Sequence, residues 1–329
     1  MKKFLIIRFS SIGDIVLTTP VLRCLKKKFP GCEIHYLTKV AFAPIVKENP
    51  YINKVYSIEK SPKEVMSELK KENYSHIIDL HKNLRSKKVV FALNAKTSSF
   101  PKLNAEKFLM VKFKMDILPK IHIVDRYFKA VEDLGVKNDK EGLDYFIPEN
   151  VVLPQRIPPA YNVLVVGAAH PTKALTEEQL IKIAKESTLP VVLLGGKKEA
   201  ALGEKIAEIC GANVINHCDK GNLHQSALII KHATIVITPD TGMMHVASAF
   251  KKKIISIWGN TIPEFGMYPY LPQNPELYKI FEVKELNCRP CSKIGHRECP
   301  KGHFKCIKEI DYEGVISEMN AHSQNPLSS

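Results

Sequence analysis

The chain has 329 residues, of which 45% are apolar and 25% charged, a balance that builds buried cores and a solvated surface and excludes a disordered composition. One hydrophobic core is not expected to serve a chain of this length, so two domains are. The formal net charge is +14, and no apolar run approaches the roughly 18–20 residues of a membrane span; the longest, Val163–Gly167 and Val191–Leu194, are strand-sized.

Met1-Lys2-Lys3 starts basic, but Arg8 and Asp14 break the apolar stretch that follows. The start therefore does not read as a signal peptide, and a cytoplasmic protein is expected. Residues 1–155 carry 28 Lys and Arg against 17 Asp and Glu, a net +11, whereas the remainder carries 20 against 17, a net +3. The first half is thus attractive to a polyanion: nucleic acid, an anionic lipid headgroup or a phosphorylated glycan.

The first elements read as a β, loop, α unit. Lys3–Arg8 is strand-like, Ser10–Gly13 a turn, and Ile15, Leu17, Val21, Leu22, Leu25 and Phe29 recur at helical spacing. The alternation continues with strands at Glu33–Leu37, Lys54–Ile58 and His76–Leu80 and helices at Phe42–Lys47, Pro62–Glu72 and Leu84–Leu93. Pro148, Pro154, Pro158 and Pro159 then fall in a stretch without periodicity, a linker that can continue neither a helix nor a central strand. A second series follows, with strands at Asn162–Val166, Pro190–Leu194, Asn213–Ile215, Thr234–Thr238 and Lys253–Ile257 between helical segments. The expected fold is α/β, two Rossmann-like doubly wound parallel-sheet domains facing a cleft, 1–155 and 156–329. Beyond them come a Cys-rich segment, 287–306, a final helix at Lys308–Asn320 and a frayed tail over Ser323–Ser329.

Three places carry chemistry. Asp14 closes the first turn, at the edge of a parallel sheet where such folds place ligands; it is a candidate base, and equally a helix cap. The turn is not G-x-G-x-x-G, which argues against a dinucleotide cofactor. The second place is Asp240-Thr241-Gly242-Met243-Met244-His245, after a strand and opening a helix, where free amides and the helix dipole can hold a diphosphate. The third is the pair of turns with Lys173 and with Lys197 and Glu199 at the same sheet edge, together a plausible nucleotide pocket.

Arg8-Phe9-Ser10-Ser11-Ile12-Gly13-Asp14, Lys173 after an apolar strand, Asp240–His245 and Trp258-Gly259-Asn260-Thr261 together resemble glycosyltransferase family 9, the ADP-heptose:lipopolysaccharide heptosyltransferases. The resemblance implies a GT-B fold and an inverting, metal-independent transfer of heptose from ADP-heptose to a lipopolysaccharide inner-core acceptor. It makes Asp14 the base, with Ser10 and Gly13 beside it on the acceptor side. It places the donor at Lys173, Glu199, Gly221, Asp240, Thr241, Gly242, Met243 and His245. It also makes Asp79–Lys88 an acceptor loop, with His81, Asn83 and Arg85 toward an anionic sugar or lipid A phosphate. Where the family carries a hydroxyl pair and then an aromatic, this chain has Ala168-Ala169 and Ala174-Leu175.

Lys102, Lys107, Lys112 and Lys114 interleave with Phe108, Leu109, Met110 and Phe113, a pattern that fits peripheral contact with the cytoplasmic face of the inner membrane and also an ordinary amphipathic helix. Cys288, Cys291, Cys299 and Cys306 could bind a structural zinc, with free thiols packing a loop as the alternative; no cofactor is expected for catalysis. Two rival functions stand beside the leading one: the same fold with another nucleotide-sugar donor for a different surface glycan, and a nucleic-acid or polyanion-binding protein, for which no nucleic-acid motif is present.

Overall fold

The computed structural model describes residues 1–323. The chain divides into two compact units, residues 1–102 with 121–148, and residues 103–120 with 149–329. The division falls at Pro148/Glu149, seven residues before the expected 155/156, so Pro154, Pro158 and Pro159 belong to the second unit. A second division was not expected: residues 103–120 belong to the second unit although first-unit segments flank them in sequence. Their apolar side chains account for this, because Leu118, Met110 and Val111 pack against Ile262 and Phe265.

In the first unit, β1 (Lys3–Ile7), β2 (Glu33–Lys39), β3 (Lys54–Ile58), β4 (His76–Asp79) and β5 (Thr97–Ser99) form one sheet in the order β3-β2-β1-β4-β5. All neighbouring strands are parallel. Strand order therefore reverses between β1 and β4. β1 explains its central place by composition: Phe4, Leu5, Ile6 and Ile7 are all buried, the continuous apolar run of a strand covered on both faces. The helical spacing after it resolves into two helices, Ile12–Val16 and Thr19–Lys28, the second with Pro20 in its first turn, where proline costs no hydrogen bond.

In the second unit, β6 (Asn162–Val165), β7 (Val191–Leu194), β8 (Val214–Asn216), β9 (Ile235–Pro239), β10 (Lys253–Trp258) and β11 (Tyr278–Glu282) run in the order β11-β10-β9-β6-β7-β8. These strands are parallel as well, with the reversal between β6 and β9. Its core joins Leu164, Leu193, Ile237, Ile255 and Ile257 from the sheet to Val315, Ile316 and Met319 of the last helix, Tyr312–Ser323. That helix starts four residues later than the sequence suggests, after a separate turn at Lys305–Lys308. Ser323 closes it, and the remainder of the expected tail lies outside the described residues.

Ile237, fully buried in β9, tests this core. Ile237→Ala is expected to cost about 2–5 kcal/mol in a denaturant titration, from lost transfer energy and the cavity left behind.

Candidate functional site

Every loop that follows a strand lands on the carboxyl edge of its own sheet, and in doubly wound folds ligands bind where strand order reverses. In the first unit the two loops at that reversal are residues 8–14, after β1, and 80–84, after β4. They are joined by Arg8. Its guanidinium donates to Ser10 O at 2.9 Å and Leu80 O at 2.5 Å and pairs with Asp14 Oδ1 at 2.6 Å. Asp14 is the third residue of its short helix, and its Oδ2 accepts from Ser11 N at 3.1 Å and Ser11 Oγ at 2.9 Å. The carboxylate thus caps its own helix and is also 23% exposed at the switch point, so the two sequence readings of Asp14 coexist.

Burial alone would raise the Asp14 carboxyl, but the Arg8 charge and the Ser11 donors outweigh it and hold the group below its ordinary value. The side chain is an anion with spare lone pairs. His81, from the second loop, stacks edge-on with Phe9 at 5.1 Å between ring centroids, and the Arg85 guanidinium lies 5.8 Å over the same ring. Burial, with Arg8 and Lys102 nearby, pushes His81 down to about 3, so it is a neutral imidazole at pH 7. Its Nδ1 has no hydrogen-bond partner. Asn83 is largely committed elsewhere, since its Oδ1 accepts from Ser86 N at 2.9 Å and caps the helix Leu84–Leu93. Ser10 contributes its carbonyl to Arg8, and Gly13 is buried within the helix Ile12–Val16.

In the second unit the reversal brings the loops after β6 and β9 together. Lys173 Nζ pairs with Asp240 Oδ2 at 2.5 Å, and Thr261 Oγ1 donates to the same oxygen at 2.9 Å. Thr241 precedes the helix Gly242–Ala249, and its hydroxyl lies 3.1 Å from Thr238 Oγ1 without capping that helix. The first amides of the helix are therefore left for a ligand, as an anion site requires. His245 is buried one turn in; Met243 lies part-exposed beside the start. Glu199 Oε2 accepts from Gly196 N at 2.9 Å, and the side chain lies so close under Gly167 that a Cβ there would sit 2.4 Å from its Cδ. Gly221 is exposed, and a Cβ on it would come within 2.7 Å of His217 Nε2.

Of the basic surface read around residues 102–114, most is spent internally. Lys102 donates to Lys82 O, Lys114 to Val111 O and Pro290 O, and Lys107 lies over the Phe265 ring. Of the four cysteines read as a zinc set, Cys288 Sγ lies 3.7 Å from His303 Nε2 and Cys306 is buried. Among the described residues, no group of three His, Cys, Asp or Glu side chains is arranged to hold a metal ion. Arg8, Phe9 and Thr261 stand inside the motifs, yet their partners cannot be read from the sequence. The available signal is a polar or aromatic residue within three positions after an apolar strand, Arg8 and Phe9 after β1 and Thr261 after β10.

Two doubly wound parallel sheets in one chain, one presenting a shielded carboxylate and the other a lysine beside an open helix start, define the GT-B class of α/β proteins. The chain belongs to glycosyltransferase family 9, whose model, described as glycosyltransferase family 9 (heptosyltransferase), matches residues 63–301. It is therefore a glycosyltransferase. It is similar over 96% of its length to 98% of the lipooligosaccharide heptosyltransferase 2 of Haemophilus influenzae, at 21% identity. The fold matches a family 9 glycosyltransferase from Veillonella parvula with TM-score 0.76 and 21% identity, covering 98% of both chains. It also matches the E. coli heptosyltransferase WaaC, solved with ADP, with TM-score 0.71 and 20% identity over 97% and 99% of the two chains.

Because Arg8 is the main charge that holds Asp14 ionised, Arg8→Met is expected to leave burial dominant and raise the Asp14 midpoint above that of an unperturbed carboxyl, about 3.9. In the wild type the midpoint lies below that value. A ¹³C-carboxylate NMR titration reads both. The sign for stability follows: a depressed folded-state value stabilises the protein above the unfolded midpoint, and that contribution is lost as pH falls through the folded one.

Proposed function

We propose that the protein transfers a heptose from ADP-heptose to a hydroxyl of an anionic lipopolysaccharide inner-core acceptor, with inversion at the anomeric carbon. The observation that carries this reading is the Asp14 carboxylate, held ionised by Arg8 and Ser11 at the switch point of the first sheet. The names of the relatives and the ADP complex of WaaC support the choice of donor and acceptor.

In this mechanism the acceptor hydroxyl donates to Asp14 and its oxygen attacks the anomeric carbon. The bond from that carbon to the phosphate oxygen breaks, ADP leaves with the electron pair, and the hydroxyl proton passes to Asp14. A base held below its ordinary value takes the proton only as the new C–O bond acidifies the hydroxyl, so proton transfer is late. Leaving-group charge on ADP is met by Lys173 and the amides at Thr241 and Gly242, with His245 beside them. With an ammonium and the first amides of a helix offered to the diphosphate, turnover is expected to persist in EDTA. Neutral His81 and the Arg85 guanidinium flank the base on the acceptor side, the latter suited to a carboxylate or phosphate. Glu199 and Gly221, in the loops after β7 and β8, are the residues the family resemblance assigns to the nucleoside.

Incubating the protein with ADP-heptose and a deacylated lipid A–octulosonate acceptor, and analysing products by mass, tests the assignment. Asp14→Asn is expected to lose roughly 10²–10⁴-fold in kcat while ADP still raises its melting temperature. A wild type that is inactive with this pair but active with another nucleotide sugar would keep the reaction class and discard the donor.

We further propose peripheral contact with the cytoplasmic face of the inner membrane. The helix Leu84–Leu93 turns Leu84, Lys87, Lys88 and Phe91 outward at i, i+3, i+4 and i+7, with Leu84 78% and Phe91 89% exposed. Phe108 and Phe113 are each 59% exposed on the helix Asn104–Phe113. Apolar side chains of this size beside lysines are the pattern of an interfacial surface. No helix among the described residues is long and apolar enough to cross a membrane. Co-sedimentation with anionic vesicles at low salt is expected to fall for Leu84→Ser with Phe91→Ser; unchanged sedimentation would remove this surface from consideration.

A further inference from the structure

The Cys-rich segment between β11 and the turn at Lys305–Lys308 contains no helix or strand, yet it carries one of the most thoroughly bonded side chains in the second unit. The Arg289 side chain is 4% exposed. Its Nε donates to Gly259 O at 2.6 Å, Nη1 to Val283 O at 3.0 Å, and Nη2 to Thr261 O at 2.8 Å and Glu282 Oε2 at 2.6 Å. Four of the five guanidinium donors are thus placed, two of them on the turn Gly259–Thr261 that follows β10. Cys291 N adds a third bond to that turn, to Asn260 O at 3.3 Å.

The same segment grips the loop that carries Lys173. His296 N donates to Thr172 Oγ1 at 2.8 Å, and Thr172 Oγ1 donates to His296 O at 3.0 Å. Thr172 is buried. Gly295 has φ +122° and lies so close to His170 that a Cβ would sit 2.4 Å from the histidine's Cβ, so only glycine permits this approach. The two gripped loops also touch each other, since a Cβ on Gly259 would meet Thr172 O at 2.9 Å. Each loop delivers one group to the same carboxylate: Lys173 from one, the Thr261 hydroxyl from the other, both on Asp240 Oδ2.

We infer that the Cys-rich segment is the positioning element of the donor site, with Arg289 acting through Thr261 and Asp240 on Lys173. The inference rests on the reading of Lys173 as the group that meets the leaving diphosphate. A lysine stem has four rotatable bonds and is costly to order. An ammonium already held against a carboxylate of fixed orientation gives up less freedom when a diphosphate arrives, which is the gain of preorganisation. The orientation of Asp240 depends on the Thr261 hydroxyl, and the Thr261 backbone depends on Arg289. Only a planar fork can bond several carbonyls and a carboxylate at once, so lysine cannot replace Arg289 although it keeps the charge.

The test is a double-mutant cycle on ADP affinity, measured by calorimetry with Lys173→Ala as the second site. Arg289→Lys and Thr261→Val are each expected to weaken ADP roughly fivefold in the wild-type background, the fold-change of about one net hydrogen bond. Neither should weaken it further in the Lys173→Ala background, and Thr261→Ser should restore the wild-type value. Equal losses in both backgrounds would overturn the inference and leave Arg289 a purely structural residue. If Arg289→Lys does not fold, Thr261→Val decides alone, because it removes one hydroxyl and leaves every Arg289 contact with the backbone in place. A wild type that binds no ADP overturns the donor reading and this inference with it, whereas ADP binding with an additive cycle overturns the inference only.

Discussion

A parallel strand cannot be joined to its neighbour by a hairpin; the chain must cross back over a face of the sheet before the next strand begins. All strand pairs in both sheets are parallel. This forces every loop after a strand to one edge, where the loops that follow neighbouring strands lie side by side. Arg8 and Leu80, 72 residues apart in sequence, meet for this reason. So do Lys173 and Asp240 in the second sheet. The topology supplies the meeting place, and the side chains at the strand ends supply the chemistry.

The two switch points solve opposite electrostatic problems with the same device. In the first, a carboxylate must stay ionised while partly desolvated, and a buried guanidinium with hydroxyl and amide donors keeps it so. In the second, the Lys173 ammonium is held against the Asp240 carboxylate, which in turn accepts from Thr261, and the proposed mechanism has it meet an incoming anion. Under the proposed mechanism each resident counter-ion costs some reactivity: Arg8 weakens Asp14 as a base, and Asp240 partly neutralises Lys173. What is gained in return is a fixed geometry, and a catalytic group already in place needs no reorganisation when substrate binds.

The alternation of apolar runs and helical spacing made both sheets legible, because fully buried parallel strands read as short continuous apolar segments. β5 and β11 were not legible. β5 is three residues of Thr and Ser at an edge, and β11, Tyr-Lys-Ile-Phe-Glu, is an edge strand whose part-exposed residues look like loop. Asp14 and Lys173 stood out through the family motif, but their partners did not. Arg8 could not be assigned to Asp14 from sequence, since nothing in the spacing says that the strand end folds back across the turn. The transfer of residues 103–120 to the second unit was equally hidden, being a matter of which core Leu118 and Met110 find.

The positive charge of the first half illustrates why composition alone misjudges a binding surface. Long basic side chains are also the longest donors available, and several here close loops by bonding backbone carbonyls. Lys82 reaches Phe100 O, Lys102 reaches Lys82 O and Lys26 reaches Cys32 O. Others are consumed in ion pairs, as Lys3 and Lys54 are on Glu72, and Arg23 on Asp139 and Asp144. A lysine whose ammonium is turned onto a backbone carbonyl or a surface carboxylate away from the sheet switch points adds less to an anion-binding surface than its formal charge suggests. The charges that remain for a partner are those such as Lys87 and Lys88, exposed on the helix that also carries Arg85. Under the proposed function, attraction of an anionic acceptor is then a property of that one helix and its loop rather than of the net charge.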